Sequence, residues 1–203
     1  MRFMSINSYS FYRQKHEKWT QINSALVPGN INELDRAIET DPELKKLLTS
    51  PQNELPSEYL YLIAEEFPNS KNYTLYDLIK LSMDYKNITS FFSKSGDKLT
   101  GWCAYRVATD IRSGISFVDE IKMFSFNGSD RINPVLIRDL KSLLDDLLTK
   151  YPIVSWAAVK ENPANKIYIR ALEEYESKGF SVKTVDKGTN VIYAVGNLGP
   201  EDK

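Results

Sequence analysis

Few side chains in this 203-residue chain are suited to chemistry, and their types narrow the reactions at once. His16 is the only histidine and lies in the polar run of Lys15, Glu17 and Lys18, so neither a Ser-His triad nor a histidine-rich metal site can be assembled. Cys103 is the only cysteine. It excludes an internal disulfide framework and a multi-cysteine metal site, and between Trp102 and Ala104 it reads as an inert, half-buried thiol. The phosphate-loop signature and the dinucleotide fingerprint are both absent, which removes nucleotide hydrolysis and hydride transfer. What remains is proton transfer by carboxylate and phenol. Glu120 and Asp119 are adjacent in an extended run. A regular strand places Glu120 with Val118, Lys122, Phe124 and Phe126, and Asp119 with Phe117, Ile121 and Met123 on the other face. Tyr175 stands four residues before Gly179-Phe180, at the end of a helical run.

The elements that must position these groups are clearest in the second half. Ile88–Ser93 and Leu99–Val107 flank a glycine-containing loop and predict a hairpin, and Phe117–Phe126 predicts a third strand. A helix is expected over Arg131–Tyr151, with Leu136, Leu140, Leu143, Leu144 and Leu147 on one side and Arg138, Asp139, Lys141, Asp145, Asp146 and Lys150 on the other. Ile153–Val159 predicts a strand and Pro163–Lys178 a helix, and Val182–Val195 a strand pair around Lys187-Gly188. Strand, crossover helix and strand make a right-handed parallel pair. The first half reads as helices over residues 10 to 85, capped at Asn30, Asp41, Ser57 and Thr74, with Val27-Pro28-Gly29-Asn30 as a loop between them. Their one-sided apolar stripes require a sheet to bury against.

This order, with Tyr175-x-x-x-Gly179-Phe180 closing the second helix, resembles the GNAT superfamily of acyl-CoA N-acyltransferases over residues 86 to 196. The resemblance implies an α+β (α/β), acyl-CoA N-acyltransferase-like fold: a mixed, mostly antiparallel sheet with one parallel crossover pair, helices on both faces and a helical N-terminal half. It implies one GNAT-like domain over residues 1–203, with residues 1–85 as the helical part and 86–196 as the sheet-containing core. It also implies acetyl-CoA as co-substrate, held by Phe126, Asn127, Gly128, Ser129 and Arg131 at a helix start whose free N–H groups suit a pyrophosphate. The loop departs from the family pattern. It has one glycine where two small residues are expected, Asp130 opposes an anion, and Pro134 lacks an N–H donor. A turn with a helix cap explains the same residues. Asn162 and Asn165 are implied as contacts to the pantetheine arm, and Asn162 can equally cap the helix opened by Pro163.

By the same resemblance Tyr175 protonates the departing thiolate, for which a phenol with a pKa near 10 is a competent donor. Glu120 takes the proton of the attacking amine, with Asp119 as its rival. Tyr168, Ala171, Leu172 and Tyr175 also form the stripe that any core-facing helix needs, and Tyr168 replaces the asparagine usual in the family. Gly179 and Phe180 also satisfy a helix C-cap.

Composition sets the remaining expectations. Lys plus Arg number 26 against 27 for Asp plus Glu, so no electrostatic footprint for nucleic acid or anionic lipid is present. No run of about 18 apolar residues and no signal-peptide core occurs, and the expected setting is soluble and cytoplasmic. No metal is expected. The expected partner is an amine acceptor, small molecule or protein, and the composition is compatible with a homodimer. Two functions follow: an N-acyltransferase, specifically an N-acetyltransferase, or a non-catalytic protein-binding module that kept the architecture and lost the phosphate loop.

Overall fold

The computed structural model describes residues 24–55, 59–60, 62–63, 72–126, 134–162 and 164–197. Its centre is a seven-stranded sheet of order β1-β2-β3-β4-β5-β7-β6. The strands are β1 (Ser24–Pro28), β2 (Ile88–Ser95), β3 (Lys98–Thr109), β4 (Ser116–Ser125), β5 (Ile153–Val159), β6 (Ser181–Lys187) and β7 (Asn190–Gly196). All neighbours are antiparallel except β4 and β5. Helices α1 (Ile31–Thr40), α2 (Pro42–Thr49) and α3 (Leu75–Asp84) cover one face, and α4 (Pro134–Lys150) and α5 (Asn165–Ser177) cover the other. The expected mixed sheet, single parallel crossover and two helical layers are all present.

Local chemistry explains where the helices begin and end. Asp41 Oδ1 accepts from the Leu44 N–H at 3.0 Å and Pro42 occupies the first turn of α2, where a missing N–H costs nothing. Thr74 and Asp77 form a reciprocal capping box on α3. Asn30 caps α1 through the Asn32 N–H, while Glu33, three residues on, pairs with Lys94 at 2.6 Å and ties α1 to β2. Helix α5 ends in a Schellman motif: Gly179 has φ +90°, its N–H donates to Glu176, and the Phe180 N–H reaches the Tyr175 carbonyl at 3.1 Å. Phe180 then packs edge-on against Tyr175, with ring centroids 5.7 Å apart.

Three expectations need correction. Residues 24–28 form an edge strand on β2 and not the expected helix and loop; Gly29 continues the contact by donating to the Ser90 carbonyl at 2.8 Å. Asp139, placed by helical spacing among solvent-facing charges, is buried and accepts a hydrogen bond from the Ser93 hydroxyl, which Thr100 also contacts. The facing strand supplies the polar partner that a helical wheel cannot show. Strand β4 is also not regular. Arg106 pairs with Glu120 but Val107 pairs with Val118, so Asp119 is an extra residue on β4, a β-bulge.

That bulge reverses the alternation. Val118 and Ile121 both point to the α4/α5 core, while Glu120, Lys122 and Phe124 face α3. The strand face expected for Glu120 therefore loses Val118. Burial of Leu143, Leu144 and Leu147 against the α4 side contributes about 1.5–3 kcal/mol each and fixes α4 on the sheet.

Candidate functional site

Strands β4 and β5 run parallel as neighbours but bridge at one pair, Val118 with Val154. Beyond it, past the bulge at Asp119, no further residue pair bridges the two strands. Ser155 marks the parting point: its hydroxyl reaches the carbonyl oxygens of Val118 at 3.1 Å and Asp119 at 3.0 Å. Sequence reasoning missed Ser155. Its signal was a lone hydroxyl inside the apolar run Ile153–Val159. In a parallel sheet such an opening lies towards the strands' carboxyl ends, where α/β folds bind ligands.

On the α3 side of the sheet a narrow cleft is lined by Leu78, Tyr85, Trp102, Arg106, Glu120 and Lys122. Glu120 sits between two cations, 3.2 Å from Lys122 Nζ and 3.5 Å from an Arg106 guanidinium nitrogen. Its side chain and that of Lys122 are 16% and 8% exposed, so most water is excluded from the pair. Asp119, the rival carboxylate, is held by Arg106 in a fork at 3.0–3.3 Å. Both acids therefore meet the same guanidinium, and it is Glu120 that faces the cleft.

Tyr175 lies on the opposite face. Its ring is 2% exposed and its hydroxyl donates to Asp145 of α4 at 2.8 Å. Burial first, and the Asp145 bond next, push the phenol well above its ordinary value near 10, so it keeps its proton. Lys178 lies over the ring, and Glu174 bridges Lys178 and Lys141. The hydroxyl thus clasps α5 to α4. Tyr168 is another phenol in this core, pushed up to about 12 by burial, with Cys103 and Tyr193 as lesser causes. Cys103 is fully buried rather than half-buried, and desolvation raises its thiol to about 12, which leaves no thiolate at neutral pH.

Asn127, Gly128, Ser129 and Arg131 lie outside the described residues. Phe126 closes β4, with its N–H on the Thr100 carbonyl and its ring against Phe92 and Phe124 on the α3 side. Asn162 accepts from the Ala164 N–H at 2.9 Å, the geometry of a helix cap. Asn165 donates to the carbonyls of Val159 and Lys160 and accepts from Tyr193, pinning the start of α5 to the end of β5. Both asparagines stand beside the gap as structural ties. No group of three or more metal-ligating side chains occurs among the described residues, and no described helix is long and apolar enough to cross a membrane.

No protein-family model matches the sequence, and no curated protein matches it. Solved structures do. The chain is similar to RimL, a ribosomal L7/L12 alpha-N-protein acetyltransferase in complex with coenzyme A, at 11% identity over 84% of this chain and 92% of that one, with a TM-score of 0.51. It is also similar to AAC(6')-Ib in complex with ribostamycin and coenzyme A, at 16% identity over 89% of this chain and 99% of that one, with a TM-score of 0.50. At such identities the likeness is one of fold.

Proposed function

We propose, from the premise that this chain has the GNAT acyltransferase fold, that it transfers an acyl group, acetyl in the first instance, from acyl-CoA to an amine. The observation that carries the reading is the parting of β4 and β5 after a single bridge. Two strand edges with unshared backbone donors and acceptors suit an extended, amide-bearing arm, which is what coenzyme A presents. Asn127, Gly128, Ser129 and Arg131 would hold the pyrophosphate end, and Phe126, Asn162 and Asn165 would shape the entrance. The gap joins the two faces of the sheet, so a thioester in it meets an amine seated in the α3 cleft. Glu120 accepts the ammonium proton there; nitrogen attacks the thioester carbon, the carbon–sulfur bond breaks, and the thiolate leaves. A thiolate whose conjugate acid has a pKa near 8.5 needs only a weak proton donor.

Tyr175 is the family-like candidate for that donor, but its proton is engaged by Asp145. Tyr175→Phe is therefore expected to lower Tm by roughly 2–4 °C, the loss of about 1 kcal/mol, and to reduce turnover less than tenfold. A loss of about 10²-fold or more would return Tyr175 to the acid's role. The engagement of Tyr175 and Glu120 with protein partners favours a second reading, the non-catalytic binding module. Ligand binding separates the two. Coenzyme A or acetyl-CoA at about a hundredfold excess over Kd should add about 2.7 kcal/mol and raise Tm by roughly 5–10 °C, with no rise for a nucleotide control. No rise at millimolar coenzyme A would leave the binding module.

A further inference from the structure

We infer that the indole N–H of Trp156 is a binding donor for an amide carbonyl oxygen of the pantetheine arm of acyl-CoA, an inference that rests on the acyltransferase reading. Trp156 stands on β5 two residues beyond Val154, the residue that bridges to β4, and so in the part of the strand where the sheet has opened. Its side chain lies on the α4/α5 face, 3% exposed, with ring centroids 6.1 Å from Tyr168 and 5.6 Å from Tyr193. The indole nitrogen is fully buried, and among the described residues it has no hydrogen-bond partner. Buried donors are rarely left so.

An indole is a donor only, so an acceptor alone can satisfy it. The nearby polar groups are already used. Tyr193 donates to Asn165, Asn165 donates to the end of β5, and Ser155 turns to the carbonyls of β4. The same chain does satisfy an indole elsewhere: Trp102, equally buried, donates to the Ser90 hydroxyl at 2.6 Å. Phenylalanine at 156 would fill most of the space without an orphaned donor, so tryptophan is unfavourable there unless something brings an acceptor. A carbonyl entering along the β4–β5 gap does so. Tyr168 is the side chain that can turn to admit it, because its hydroxyl has no bond to break among the described residues and its ring is already at 9% exposure.

The test is a titration of the full chain with coenzyme A, which has the arm's amides but no thioester, and with 3′,5′-ADP, which lacks the arm. It is followed in the ¹H–¹⁵N signals of the three indoles, with Trp156 assigned by its loss in Trp156→Phe. Coenzyme A should move the Trp156 indole signal downfield and leave that of Trp102 in place, while 3′,5′-ADP moves neither. Trp156→Phe should bind coenzyme A about five- to tenfold more weakly, with the ligand-free Tm within about 3 °C of the parent. If coenzyme A binds the parent but the Trp156 signal stays still, or the variant binds equally well, the inference fails and the acyltransferase reading stands. If coenzyme A leaves the parent's spectrum and Tm unchanged, the reading itself fails and takes the inference with it.

Discussion

Glu120→Gln is expected to lower turnover by about 10²–10⁴-fold while leaving the rise in Tm induced by coenzyme A intact. The substitution keeps the side chain's size and one acceptor oxygen but removes the charge that takes a proton from an ammonium. Glu120 faces the α3 cleft and is flanked by Lys122 and Arg106, whereas the coenzyme's expected path lies along the β4–β5 gap. Turnover and coenzyme binding should therefore separate. Loss of the carboxylate from the Lys122 pair also costs stability, because the lysine ammonium is 8% exposed and its charge would be less well matched. Rates should accordingly be compared well below the variant's Tm. The pH profile supplies an independent check: the parent should lose kcat/KM towards acid as its base is protonated, and the variant should lack that limb. Asp119→Asn, which touches the fork to Arg106 and not the cleft, should keep turnover within about tenfold of the parent. A purely structural Glu120 would instead give a lower Tm with unchanged turnover per folded molecule.

The residues that sequence placed well are those whose signals are local. Thr74 and Asp77 predict their own capping box, Asp41-Pro42 its own helix start, and the leucines of α4 their own buried stripe, because each signal and its consequence lie within one or two turns. Residues 153–159 are legible as a strand for the same reason. The failures all depend on a distant partner. Ser24–Pro28 is extended only because β2 offers an edge to it, and a five-residue strand ending in proline carries no periodicity of its own. Asp139 is buried because Ser93, 46 residues away, gives it a hydrogen bond. Ser155 and Trp156 matter only once β4 is known to bend away beside them. For the candidate site this divides cleanly: Glu120 and Tyr175 could be picked by type and spacing, but neither the commitment of Tyr175 to Asp145 nor the single bridge between β4 and β5 beside Glu120 is written in any local pattern.

Deletion of Asp119 is expected to abolish coenzyme binding while leaving cooperative folding in place, whereas Asp119→Ala should keep the binding and cost no more than about 1 kcal/mol. The side chain contributes a half-exposed ion pair with Arg106; the residue itself contributes the extra backbone unit that interrupts the β3–β4 register beside the gap. With Asp119 gone, Val118 and Glu120 become chain neighbours, so a regular strand still sends Val118 and Ile121 to one face and Glu120, Lys122 and Phe124 to the other. Phe124 and Phe126, at 5% and 8% exposure, keep their places in the aromatic cluster under α3, and no charge enters the leucine-lined core under α4. Neither of these buried phenylalanines, whose removal would cost about 3–5 kcal/mol each, is displaced; what the deletion removes is the local bend and added twist of β4, and a straightened β4 should pair further along β5 and close the gap. The comparison of deletion with substitution by chemical denaturation and by coenzyme-induced Tm shift therefore isolates backbone from side chain. A deletion variant that melted cooperatively near the parent and still bound coenzyme A would mean that β4 and β5 part for a reason other than the bulge. The link between Asp119 and the gap would then have to be abandoned.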